Sequence, residues 1–327
     1  MSDAVIDVRG VSKRYAGHVA VDALSVQVRK GSVFGLLGPN GAGKTTTIRM
    51  MNDIVKPDDG QIVLFGALAP GRAASRRIGY LPEERGLYPK MTVRRVLTFL
   101  AELRGLTRRE AKGRIVRWID RLELGAWTDR KVESLSKGMQ QKVQFIATVL
   151  HQPDLLILDE PFSGLDPINA DLLRSIVLEE KARGTTILYS THSMEHAEQM
   201  CDDICILARS RRVLSGDLAA IKDAARAERR AVIVELRNGH GDGAPRALAP
   251  GADTGVSAVR KVRGGYEATL APGSQPRDLL RRLLDADLDI ARFEQAAPTL
   301  HEIFIQKVTA ADAAELGTPM PEGGDRG

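Results

Sequence analysis

A chain of 327 residues, 43% hydrophobic and 27% charged, is long enough for one large domain and a smaller one of ordinary globular composition. No apolar run approaches the roughly 20 residues of a membrane-spanning helix. The opening Met1-Ser2-Asp3-Ala4-Val5 lacks the basic and apolar regions of a secretion signal, so a cytoplasmic protein is expected. The net charge of +5 is small for this length, and the pairs Arg76-Arg77, Arg94-Arg95 and Arg108-Arg109 read as solvated helix faces before a nucleic-acid surface. Two cysteines, Cys201 and Cys205, make no disulfide framework and suit a reducing compartment. Neither they nor His192 and His196, which lack the glutamate of H-E-x-x-H, favour a metal site.

In chain order, the first thirty residues read as two strands with interleaved apolar positions, Val5 to Val11 and Val19 to Val28. Tyr15 is expected in the loop between them. An aromatic upstream of a phosphate loop is a candidate platform for a purine ring, and the loop alone fits a surface tyrosine equally well. Val33 to Leu37 is a short, wholly apolar run suited to a buried parallel strand. Gln61 to Phe65 and Ile78 to Leu81 read as further strands. From Thr92 to Gly125 the pattern turns helical and charged, with Thr92 and Thr107 as N-caps, the latter in a capping box with Glu110. Strand, helix, strand and helix then follow: Leu155 to Asp159, Asn169 to Arg183, Thr185 to Ser190, and Met194 to Cys201. A closing hairpin is expected near 204–216. After about residue 220 the spacing predicts strands over 231–236, 256–262 and 266–270, and helices over 276–284 and 300–308. The last stretch, 311–327, is expected to be disordered.

Chemistry concentrates in few places. Gly35 to Thr47, GLLGPNGAGKTTT, contains G-x-x-x-x-G-K-T at a strand-to-helix junction. Gly38, Pro39, Asn40, Gly41, Ala42 and Gly43 would turn backbone N–H groups towards phosphate oxygens. Lys44 would reach the outer phosphates, the Thr45 hydroxyl would ligate Mg2+, and Thr46 opens the helix. Leu155 to Glu160, LLILDE, supplies Asp159 for Mg2+ and Glu160 as general base for water. Ser136 and Gly138 open a helix whose N-terminus is a second anion-binding device. One chain with two phosphate-facing ends suggests that two chains share a nucleotide.

In this order, Tyr15, Gly38 to Thr45, Leu135 to Gln140, LLILDE, Ser163-Gly164-Leu165-Asp166 and His192 resemble the ATP-binding subunits of ABC transporters, over about residues 3 to 220. The resemblance implies an α/β fold: a P-loop NTPase parallel sheet with an N-terminal antiparallel β subdomain, a helical insertion and a small α+β C-terminal domain. The expected boundaries are 1–220 for the nucleotide-binding domain (insertion about 84–150), 221–310 for the accessory domain and 311–327 for the tail. It implies ATP hydrolysis in a head-to-tail pair, with ATP and Mg2+ as cofactors. Ser136 and Gly138 would contact the other copy's γ-phosphate, Asp166 would communicate across the pair, and His192 would meet the γ-phosphate and attacking water. Two departures from the family stand out, the signature motif and one acidic residue. Lys137 and Met139 give LSKGM in place of the common LSGGQ, and Glu83 stands where most members have a glutamine touching Mg2+. LPEERGLYPKM, with the C-terminal domain, resembles the branch served by ABC-2-type permeases, which includes sodium- and drug-export ATPases. The expected protein is therefore an export ATPase subunit on the cytoplasmic face of the membrane. Its partners would be a second ATPase subunit, the same or different, and a separate permease, with no nucleic acid. The rivals are a nucleic-acid-associated ABC ATPase and a non-transport nucleotide-binding regulator.

Overall fold

The structure is a computed structural model and describes residues 4–316 except 85, 238–243 and 263. The chain divides into two compact units that part between Asp217 and Leu218, the second ending at Thr309.

The first unit begins with a hairpin, β1 (Ala4–Tyr15) and β2 (His18–Arg29). β4 (Asp59–Leu64) completes a three-stranded antiparallel sheet in the order β2-β1-β4. Tyr15 is the last residue of β1, not a loop residue. It pairs with His18 across a two-residue turn in which Gly17 takes φ 75°, the left-handed backbone that tight hairpins require.

The second sheet has six strands in the order β5-β6-β7-β3-β8-β9. β3 (Val33–Leu37), β5 (Ile78–Leu81), β6 (Leu155–Asp159), β7 (Thr186–Thr191) and β8 (Asp203–Ala208) run parallel, and β9 (Arg211–Asp217) closes the edge antiparallel to β8. β3, β6, β7 and β8 are buried along their whole length, as the continuous apolar runs of the sequence require. α1 (Lys44–Met51) follows β3, and the short α2 (Arg72–Ser75) precedes β5. Ile48, Met50 and Met51 of α1 join Phe34 and Leu36 of β3 and the inward residues of β1 and β2 in one core. That shared core locks the two sheets around the phosphate loop.

Between β5 and β6 lie α3 (Val93–Leu103), α4 (Arg108–Arg121) and α5 (Lys137–Val149). Thr92 and Thr107 cap α3 and α4, and the Thr107–Glu110 capping box is complete. α6 (Pro167–Ala182) and α7 (Met194–Met200) are the crossovers on either side of β7.

β5 is an edge strand, and α5 covers its open side. Thr148 Oγ1 donates to Tyr80 O at 3.4 Å, and His151 Nε2 lies 3.1 Å from Ile78 O. A carbonyl partner makes Nε2 the protonated nitrogen, so Nδ1 is left buried without a partner. Burial, with the charges of Arg104 and Arg114, pushes the His151 pKa down to about 4 from an ordinary 6.5. The unfolded chain therefore takes up a proton that the fold refuses. Above pH 7 this has no effect; between pH 6.5 and 4 stability should fall by up to about 3 kcal/mol. His151→Gln keeps an N–H donor for Ile78 and removes the titration. Denaturant unfolding at pH 7.5 and pH 5 should show a smaller acid loss in that variant than in the natural chain.

The second unit contains α8 (Leu218–Arg229), β10 (Ala231–Leu236), β11 (Val256–Val262), β12 (Gly265–Leu270), α9 (Pro276–Asp285), β13 (Ile290–Gln295) and the start of α10 (Leu300–Leu316). Its sheet is antiparallel in the order β11-β12-β10-β13, with Leu279 and Leu283 of α9 packed on Val232, Val234, Ala268 and Leu270. Buried Glu267 accepts from Arg229 at 2.7 Å and Arg260 at 2.6 Å, and Arg229 also reaches Glu302 of α10. α8 and β13 have no counterpart among the elements expected from sequence. α10 runs to Leu316, into the stretch expected to be disordered, because Ala310, Ala311, Ala313 and Ala314 carry helix propensity without apolar bulk. The rest of that tail, and Arg85 of LPEERGLYPKM, lie outside the described residues.

Candidate functional site: a nucleotide cleft

Lys44 begins α1 directly after Gly43, which takes φ 100°. A Cβ at Gly43 would come within 2.3 Å of Ala20 O, so only glycine lets the loop press against β2. Lys44 Nζ donates to Gly38 O at 2.7 Å and Pro39 O at 3.1 Å. Its side chain is buried, and burial lowers its pKa against the opposing charges of Glu160, Asp159 and Glu83. A desolvated cation beside glycine-rich backbone is poised for an anionic ligand.

Asp159 ends β6 in register with Ser190 of β7 and is fully buried. Burial, aided by the Glu83 and Glu160 charges, raises its pKa; the nearby hydroxyls of Ser190 and Thr45 oppose the shift. Neither hydroxyl closes a hydrogen bond to it, and both carboxylate oxygens are buried without a partner. Such oxygens are costly unless a cation completes them. With the Thr45 hydroxyl and the Glu83 carboxylate on the same cleft, the donors are hard oxygens that fit Mg2+. Among the described residues no cluster of three or more His, Cys, Asp or Glu could hold a metal ion. The cation would therefore draw its other ligands from phosphate and water.

Glu160 sits just past the strand with φ 48°, a left-handed backbone that a non-glycine residue adopts at a cost of about 1–3 kcal/mol. The chain holds it there. Glu160 N donates to Ser190 O at 3.0 Å, and the carboxylate accepts from His192 N at 2.9 Å and Thr191 Oγ1 at 3.2 Å. His192 Nδ1 lies 2.7 Å from Glu160 Oε1. That is the arrangement of a base oriented by a third group.

The cleft, about 320 Å3, is lined by Tyr15, His18, Ala20, Asn40, Gly41, Gly43, Lys44, Thr45, Thr46, Glu83, Asp159 and Glu160. Tyr15, 46% exposed, lines the cleft, and Lys13 Nζ lies 5.6 Å from the centroid of its ring. His192 is not a lining residue and joins through Glu160. Gly38 and Pro39 join through Lys44, and Ala42 closes a turn back to Pro39. His18 and Ala20 are additional to the residues expected from sequence; a two-residue turn after Tyr15 was the signal, since it sets His18 opposite Tyr15.

Ser136, Gly138 and Asp166 do not line this cleft. Ser136 Oγ caps α5 by accepting from Met139 N at 3.3 Å, and Asp166 caps α6 by accepting from Asn169 N at 3.0 Å. The start of α5 instead faces the segment that precedes Asp166: a Cβ on Gly138 would stand 3.5 Å from Leu165, and Gln141 Nε2 donates to Pro161 O at 3.1 Å. Cys201 and Cys205 are buried and unpaired, their thiols pushed up to about 12 by burial, which leaves them unreactive.

The family described as ABC transporter matches residues 21–163, and the C-terminal domain of DrrA1-3-like ATP-binding proteins matches residues 216–308. The uncharacterized ABC transporter ATP-binding protein YhaQ of Bacillus subtilis is 41% identical over 300 residues, covering 92% of this chain and 97% of the relative. The chain belongs to the ABC transporter ATP-binding proteins. The Nod factor export ATP-binding protein I of Burkholderia pseudomallei is 42% identical over 218 residues, 66% of this chain and 72% of that one. A solved ATP-binding subunit of an ABC transporter superposes with a TM-score of 0.62 at 33% identity, covering 67% of this chain and 92% of the other. The chain is thus an ATP-binding, ATP-hydrolysing subunit that works with a membrane permease to drive transport. Among the described residues no helix is long and apolar enough to cross a membrane.

Proposed function

We propose that this ATPase acts as one of a head-to-tail pair, on the cytoplasmic face of the membrane, energising export through an ABC-2-type permease. The observation that carries the pairing is the division of the site. One cleft collects Tyr15, the phosphate loop, Glu83, Asp159 and Glu160, while Ser136, Gly138 and Asp166 stand outside it, Gly138 beside Leu165. A second copy would bring its Ser136 and Gly138 to this cleft's γ-phosphate. The lean to export rests on the relative named for Nod factor export and on the DrrA-like C-terminal domain. Residues 221–310 are the accessory module of this reading.

In the cleft, Tyr15 stacks the base, and Lys44 and the loop amides hold the phosphates. Glu160 takes the proton of the attacking water while His192 fixes the carboxylate's orientation. Thr45, Glu83 and Asp159 would hold Mg2+, which when bound offsets charge on the phosphates.

Light scattering on a Glu160→Gln protein tests the pairing. With ATP and Mg2+ it should run as a dimer, and a further Ser136→Arg change should return it to monomer. A monomer at saturating ATP would overturn the pairing. Recovery of a multi-span membrane protein with the tagged chain would support the permease.

A further inference from the structure

β5 leaves one edge unpaired, so its carbonyls on that side, at Ile78 and Tyr80, have no strand partner, and the chain carries two more such carbonyls past the strand end, at Pro82 and Glu84. Side chains of α5 and the residue just beyond it serve them. His151 meets Ile78 O, and the Thr148 proton is shared between Gln144 O at 2.9 Å and Tyr80 O at 3.4 Å. Gln144 Nε2 spends both protons, on Pro82 O at 3.3 Å and Glu84 O at 3.2 Å. The spacings match: four helical residues rise about 6 Å and two strand residues about 6.6 Å. Gly79 permits the approach, because a Cβ there would lie 2.5 Å from Thr148 O.

Beyond Leu81 the strand has ended, and Gln144 grips the chain on both sides of Glu83. Gln144 is buried, and its Oε1 has no partner, so the side chain is held by its donors alone. Its neighbour Gln141 ties the same helix to Pro161, the residue after Glu160. We infer that Gln144 is a positioning residue, fixing the Glu83 loop to α5 so that Glu83 and the helix opened by Ser136 move as one body. The inference rests on the reading of Glu83 as a cation ligand. A loop residue held by two backbone bonds reaches its ligand in one place; released, it samples many.

The test is equilibrium binding of the fluorescent nucleotide MANT-ADP as Mg2+ is raised, on the full chain and without turnover. Gln144→Met keeps length and apolar packing but removes both donors. It should raise the Mg2+ concentration at the half-point by about 10-fold, the range for losing a group that orients a metal ligand. Affinity without Mg2+ should not change. In a Glu83→Ala background the same change should shift the half-point less than about 2-fold, because the ligand it positions is gone. An equal shift in both backgrounds, or none in the natural one, would overturn the positioning role and leave the Glu83 reading standing. An unaltered half-point in Glu83→Ala alone would overturn that reading and the inference with it. Should Gln144→Met not fold, Gln144→Leu, which also lacks donors, gives the same comparison.

Discussion

A Glu160→Gln protein should hydrolyse ATP roughly 100- to 10,000-fold more slowly than the natural chain while binding it as well or better, the range expected for losing a positioned general base. The substitution is nearly isosteric. The amide oxygen still accepts from His192 N, and the amide nitrogen, in place of the second carboxylate oxygen, can donate to Thr191 Oγ1, which accepts as well as donates, so the site keeps its form. What disappears is the capacity to take a proton. Removing a negative charge beside the phosphates also relieves repulsion, so nucleotide affinity should not fall. His192→Ala separates the two roles: it leaves the base in place but takes away the ring at 2.7 Å, and should lower kcat less than Glu160→Gln does. Phosphate release under single-turnover conditions, beside MANT-ATP binding, checks both. A Glu160→Gln protein of normal rate would remove Glu160 from the chemistry.

Local signals were legible in the sequence. G-x-x-x-x-G-K-T and LLILDE each bind chemistry to contiguous residues, and the cleft joins Lys44, Thr45, Asp159 and Glu160 as their spacing implied. The buried parallel strands were legible because burial on both faces leaves unbroken apolar runs. β13 was not, since Ile290-Ala291-Arg292-Phe293-Glu294-Gln295 has only Ile290 and Phe293 to mark an inward face, and charge obscures the alternation. α8 hid behind the composition change at residue 220, which reads as a linker though Leu218 opens a helix. The attachment of Gln144 to Pro82 and Glu84 was beyond reach for another reason: it joins residues about sixty positions apart through an edge strand whose need for partners exists only once the sheet has formed.

Lys44→Ala should weaken ATP binding by roughly 30- to 5,000-fold, the 2–5 kcal/mol lost when one partner of a buried, hydrogen-bonded charge pair is truncated. In the free protein the ammonium is held by Gly38 O and Pro39 O and is desolvated, so it has neutral acceptors where a phosphate would offer charged ones. Without it, phosphates would enter a cleft whose charged side chains, Glu83, Asp159 and Glu160, are all acidic. Lys44→Arg should not restore binding, because a planar guanidinium needs more width than the loop leaves for a buried ammonium. The lowered pKa adds a signature of its own. Only the protonated amine attracts phosphate, so affinity falls as pH rises through the depressed value, and binding on the alkaline side takes up protons. Calorimetry in two buffers of different ionisation enthalpy would read that uptake in the natural chain and its loss in Lys44→Ala. Affinity of the alanine variant within about 3-fold of the natural chain, well under 1 kcal/mol, would mean that the loop amides alone hold the phosphates.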